Sequence, residues 1–163
     1  MRSRTLAFVL FASLAVAPPL QAQPVDPQIT APVTRFIDAF NKGDVAGAKA
    51  THASDAVIVD EVAPYVWRGE KAFDTWLGDL DRDAKAKGIT DQQVTLGKVT
   101  RVETDGASAY VVVPSTYAFK EKGVAMREDA QMTFVVKKGP AGWSIHGWTW
   151  TGPRAKKVAT ATK

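Results

Sequence analysis

Two carboxylates stand side by side in "VIVDEVAPYVWRG", residues 57–69: Asp60 and Glu61 close an apolar β-branched run. Tyr65, Trp67 and Arg68 follow within eight residues. A carboxylate at a strand end can act as a general base or orient a bound ligand. It can equally cap the turn at 61–64 by accepting backbone N–H bonds. Strand alternation sends successive side chains to opposite faces, so Glu61 is expected to point away from Asp60. His146 is the second candidate. It lies in "GWSIHGWTW", in phase with Trp148 and Trp150 and out of phase with Trp143 and Ile145. On an inward face His146 partners Asp60; on an outward face the His-Trp-Trp stripe is a docking surface. His52, at the end of a short helix, either faces the pocket or closes the helix. Tyr65, Trp67, Tyr117, Trp148 and Trp150 are candidates to line an apolar pocket, or simply to pack the core.

Other chemistries have less to stand on. The chain has two histidines and no cysteine, so it offers no ligand spacing for zinc and no thiolate. It contains no glycine-rich phosphate loop and no G-x-S-x-G elbow. No cofactor and no metal are expected.

The elements that must position these residues follow from periodicity. Arg2 and Arg4 precede the apolar run Leu6–Ala17, and "PPLQA" follows. This reads as a signal peptide over 1–22, cut after Ala22 and too short to span a bilayer. The expectation is an exported protein, periplasmic or secreted, with no membrane attachment after cleavage. Residues 23–30 read as an extended lead-in. The folded domain is placed at 31–153 and a basic flexible tail at 154–163. The formal charge of +4 comes from 21 basic and 17 acidic residues. Six of the basic residues lie in the leader and tail, which leaves 15 against 17 in the domain. A nucleic-acid binder carries its basic patch on the folded domain, so nucleic acid is not an expected partner.

Within the domain, Thr30 is placed as a helix cap with Pro32 in the first turn. Val33, Phe36, Ile37 and Phe40 form one helical stripe. Gly43 and Asp44 separate this helix from a short one at 45–52. Residues 55–60 read as a buried strand and "YVWRG" as another. Phe73, Trp76, Leu77, Leu80 and Ala84 mark an amphipathic helix that ends at Gly88. Four strands follow as a meander, at 92–103, 107–120, 124–138 and 143–151. Pro114 suggests a bulge or an edge. On the third of these strands, Met126, Glu128, Ala130, Met132, Phe134 and Val136 share the core-facing side, with Glu128 the exception in type. The fold class is α+β, with the sheet burying one face against three helices.

Three stretches, "VTRFIDAFNKGDVAGAKATHASDAVIVDEV", "YVWRGEKAFDTWL" and "GWSIHGWTW", resemble the nuclear transport factor 2-like superfamily, which includes SnoaL-like cyclases and ketosteroid isomerases. The resemblance spans about 31–151. It implies a cone-shaped curved antiparallel sheet packed on the helices, a cystatin-like α+β roll with a pocket at the open end, and frequent homodimers. In ketosteroid isomerases an aspartate base works with a tyrosine and a protonated carboxylic acid. Asp60 matches the base. Phe36 stands at the tyrosine position and cannot donate a proton. The second carboxyl position falls near Ala130 or Met132, with Glu128 and Asp129 offset from it.

The resemblance therefore implies an exported domain that binds a small apolar or aromatic molecule, with Phe36, Tyr65, Trp67, Tyr117, Met132 and Trp148 as ligand-binding residues. A rival reading is an isomerase or cyclase-like enzyme acting on a carbonyl compound. It takes Asp60 as general base and His146 or Tyr117 as donor. A third is a non-catalytic dimerisation or accessory module.

Overall fold

The computed structural model describes residues 26–159. The signal peptide expected over 1–22 lies outside them. The first helix, α1 (Pro27–Asn41), starts earlier than Thr30: Asp26 accepts from the Gln28 N–H at 2.9 Å, and Pro27 takes the first helical position. Aspartate followed by proline is the stronger start signal, since the proline lacks an N–H only where none is needed. The lead-in is therefore helical from Pro27. Gly43, at φ 68°, turns the chain, and the Asp44 carboxylate accepts from the Gly47 N–H to open α2 (Val45–Ala50).

Strand β1 (His52–Val59) follows, then the two-residue β2 (Val66–Trp67) and α3 (Ala72–Lys87), which ends at Gly88 in the left-handed conformation. The expected strand at 92–103 is in fact two, β3 (Ile89–Leu96) and β4 (Arg101–Asp105), both paired to β5 (Ser108–Glu121). Gly97 marks the break. Its N–H donates to the Pro114 carbonyl at 2.7 Å. Pro114 pairs with Gln131 of the neighbouring strand in unbroken register on one side, and on the other it stands at a local edge, the gap between β3 and β4. Its ring nitrogen, on the same side of the strand as that carbonyl, faces the gap between β3 and β4, where no ladder bond is due. The remaining strands are β6 (Val124–Gly139), β7 (Gly142–Thr151) and β8 (Lys156–Lys157).

The strand order is β2-β1-β7-β6-β5-β3, with β4 continuing the β5 edge and β8 pairing with β6. The sheet is curved and unclosed. It is also mixed rather than antiparallel throughout, because β1 runs parallel to β7. Register shifts in the β1–β7, β3–β5 and β6–β7 pairs bend it. Its concave face buries Ile58, Val111, Val113, Phe134, Val136 and Ile145 against Val33, Phe36, Phe73 and Trp76 of the helices. The tail expected to be flexible contributes structure. Lys156 and Lys157 pair with Arg127 and Met126, so the segment after β7 is held along the sheet.

One side chain ties the helices to the free edge. Asn41 donates from Nδ2 to the Val94 carbonyl at 2.7 Å and accepts from the Val94 N–H at 2.8 Å. It supplies edge strand β3 with the two bonds that a neighbouring strand would make. At about 1 kcal/mol net for each bond, Asn41→Ala is expected to cost about 2 kcal/mol in denaturant unfolding. Asn41→Asp, which keeps the acceptor and loses the donor, should fall between.

Candidate functional site

The open end of the sheet holds a cavity of about 60 Å³. Its walls come from every layer. Phe36, Ile37 and Phe40 project from α1, and Trp76 and Leu80 from α3; Val94, Tyr117, Met132, Trp148 and Trp150 come from β3, β5, β6 and β7. Asp60, Glu61 and Val62 line it from the turn after β1. An outer groove of about 420 Å³ shares Glu61, Val62, Leu80 and Tyr117 with this cavity. The inner cavity suits a compact group. Together the two spaces reach the few hundred Å³ usual for a small-molecule site.

Asp60 and Glu61 face the same cavity. β1 ends at Val59, so both acids lie in the turn, where two-residue alternation no longer applies. Asp60 accepts from the Trp76 indole N–H at 2.7 Å on one oxygen and from the Glu61 backbone N–H at 2.7 Å on the other. Burial pushes its carboxyl above the usual range, against the downward pull of those two donors. Glu61 is pushed up to about 7, by burial first, then by the charge of Glu128 and a hydrogen bond with it, then by Asp60, with Lys87 opposing. Glu128 is 2 % exposed, and its Oε1 accepts from the Trp150 indole N–H at 2.7 Å. The offset acid on β6 thus reaches the site beside Glu61.

His146 does not join them. β6 and β7 slip register between Val135 and Val136, where Val136 pairs with Ile145 and Val135 with Gly147. The irregularity leaves His146 without a ladder position and resets the phase, so Ile145, Trp148 and Trp150 all face inward. His146 instead approaches the exposed Asp55, at 3.4 Å. The structure therefore removes the Asp60–His146 pair and the exposed His-Trp-Trp stripe together. A bulge carries no signature in alternation, which is why the sequence pattern misplaces His146.

The other candidates divide. Phe36, Tyr117, Met132 and Trp148 line the cavity. Tyr65 is 60 % exposed, in the turn, and Trp67 is buried with its indole donating to Asp79 at 2.9 Å; neither lines the cavity. His52 is structural. Its Nε2 accepts from the Trp148 indole at 3.0 Å and Nδ1 reaches the Ala48 carbonyl at 3.0 Å, which sets the tautomer. Burial lowers its pKa to about 4 against that carbonyl bond, so it is neutral at pH 7. Alternation had marked Glu128 as the odd member of a buried row. Trp76, the donor to Asp60, was visible only as one residue of the α3 stripe.

Every indole or phenol donor on the cavity wall is committed. Trp76 serves Asp60, Trp148 serves His52, Trp150 serves Glu128, and the Tyr117 hydroxyl donates to Gln92 Oε1. Among the described residues, no further indole N–H or phenol O–H on the wall is left to stabilise an oxyanion.

The model of the SnoaL-like domain family matches residues 33–150. The chain belongs to this family. Solved structures place it in the wider nuclear transport factor 2-like fold. A ketosteroid isomerase-like protein from Erwinia carotovora atroseptica SCRI1043 superposes with a TM-score of 0.58 at 20% identity, covering 82% of this chain and 96% of that one. A hexachlorocyclohexane dehydrochlorinase gives 0.68 at 10% identity, covering 82% and 88%. A nuclear transport factor 2-like superfamily protein from Salmonella enterica serovar Typhimurium LT2 gives 0.61 at 17% identity, covering 78% and 90%. At these identities the likeness is one of fold. A comparison with curated proteins finds no match to this chain. In this SnoaL-like domain the turn after β1 and strand β6 supply the acids, and the indoles of α3 and β7 hold two of them.

Proposed function

We propose that this SnoaL-like domain is an exported binder of a small molecule, which seats a compact group in the inner cavity and its remaining body in the outer groove. The observation that carries this reading is the commitment of the wall's indole and phenol donors. The site has an apolar aromatic lining and carboxyls, and its indole and phenol donors are already engaged, so only a protonated acid is left to serve the enolate chemistry of a carbonyl compound. A second reading is favoured by one specific observation. Glu61, held near neutrality beside Asp60, is suited to exchange a proton with a bound compound. In that case Asp60 and Glu61, rather than Asp60 and His146, form the acid–base pair of an isomerase or cyclase-like enzyme.

Leu80 lines both the cavity and the groove, so Leu80→Trp fills their junction. A ligand at one hundred times its Kd stabilises the native state by about 2.7 kcal/mol, a readily measured thermal shift. Small molecules found by such a screen, or co-purifying in native mass spectrometry, should lose their shift in Leu80→Trp. An undiminished response in a folded Leu80→Trp protein would place binding elsewhere. Asp60→Asn separates the two readings: unchanged turnover of any substrate would remove Asp60 as base.

A further inference from the structure

The cavity has a charge character that its apolar lining conceals. Among the described residues, the charged side chains on its wall are Asp60 and Glu61, and no basic one lines it. The outer groove adds Glu128, Asp83 and Glu121, against Lys87 and Arg154. Lys87 is already paired with Asp83 at 2.8 Å. Glu128 lies 2 % exposed, its Oε1 accepts from the Trp150 indole, and it shares a hydrogen bond with Glu61. Three acids this close, one of them buried, call for a positive charge or a shared proton. The upward push on Glu61, driven partly by the charges of Glu128 and Asp60, is a second sign that negative charge here is under-compensated.

The rings matter as well. Phe36, Phe40, Trp76, Trp148, Trp150 and Tyr117 surround the cavity. The one cation–π contact among the described residues, Arg101 over Tyr110, lies elsewhere, so none of their cations covers these rings. Aromatic walls around carboxylates form the environment that attracts an alkylated ammonium: the ring faces are electronegative, and the acids balance a charge that has shed its water. A neutral apolar molecule would gain from the rings alone. An anion would meet the acids.

Resting on the pocket reading above, we infer that the ligand is an organic cation whose compact alkylammonium head enters the aromatic cavity beside Asp60 and Glu61, with its body along the groove past Glu128. The test compares choline with 3,3-dimethylbutan-1-ol, the same shape with carbon in place of the charged nitrogen. Both are titrated calorimetrically into the wild-type chain, Glu61→Gln and Glu128→Gln. Choline is expected to bind the wild type about tenfold more tightly than the alcohol, the scale of a desolvated cation–π site with charge compensation. Glu61→Gln should remove most of that preference and leave alcohol binding unchanged. Glu61 lies at the mouth with its carboxyl half-buried, so this variant stays informative even where Glu128→Gln fails to fold. Equal affinity for both probes would overturn the cation inference and leave the pocket standing. Binding of neither, at concentrations into the tens of millimolar, would overturn both.

Discussion

Replacing Trp148 by alanine should remove about 4 kcal/mol of stability, close to the whole margin of a weakly stable domain. Trp148 is 5 % exposed and sits where the three layers of the site meet. Its ring lies edge-on to Trp76 at 5.0 Å and beside Phe36 at 5.6 Å. Truncating a buried large aromatic costs about 3–5 kcal/mol from lost transfer and cavity terms. The substitution also strips the N–H from His52 Nε2, leaving a neutral imidazole without its donor. Trp148→Phe separates the two effects. It restores most of the packing and leaves the imidazole bare, for an expected loss of about 1–2 kcal/mol. Chemical denaturation of both variants measures the difference. A loss under 1 kcal/mol in Trp148→Ala would mean that the ring does not fasten β7 to the helices. The imidazole adds a pH signature. Its folded pKa of about 4 lies below its ordinary 6.5, so its contribution is present above pH 6.5 and lost as pH falls from there towards 4.

The second large effect belongs to the bond between α3 and the turn. Trp76→Phe keeps an aromatic ring at a position 3 % exposed, and removes the indole N–H from Asp60 Oδ2 together with part of the bicyclic ring. A charged acceptor left with one backbone donor costs about 1–3 kcal/mol, so a loss of about 2 kcal/mol is expected at pH 8. The sign of its pH dependence follows from burial. The Asp60 carboxyl is raised in the folded state, so ionising it opposes folding, and the wild type gains stability as pH falls through that raised pKa. Without the indole the pKa rises further, so this gain begins at higher pH and the deficit of Trp76→Phe narrows on acidification. Stability curves of both proteins from pH 4 to pH 8 measure it. A deficit constant across that range would show that the indole does not hold a charged Asp60.

Much of this architecture was legible because it rests on local pattern. The stripe Val33, Phe36, Ile37 and Phe40, and the later Phe73, Trp76, Leu77 and Leu80, give two helices with their buried faces. Turn signals place the hairpins, with Asp105 pairing Ser108 around Gly106. Features that depend on non-local pairing were not legible. The parallel β1–β7 contact joins segments about ninety residues apart, and nothing in either strand states its direction. The break at Gly97 falls opposite Pro114, which lies on another strand and offers no N–H there. Alternation served β6, where it marked Glu128 as buried, and failed at its two points of interruption. One is the end of β1, where Asp60 and Glu61 turn to the same cavity. The other is the β7 irregularity that sets His146 aside. Asp60 was identifiable as the acid of interest, but its partners Trp76 and Glu61 emerged only from the geometry of the turn.

The central claim is that the cavity bounded by Trp76, Trp148 and Trp150 receives a ligand, and the chain's five tryptophans supply the probe. Each indole N–H gives its own resonance in a nitrogen–proton correlation spectrum. Three line the cavity; Trp67, bound to Asp79, and Trp143, whose buried N–H has no partner among the described residues, do not. Titration with 3,3-dimethylbutan-1-ol and then choline is predicted to move the Trp76, Trp148 and Trp150 resonances while Trp67 and Trp143 stay in place. Shifts confined to Trp67 and Trp143, or no shift with either compound, would contradict it.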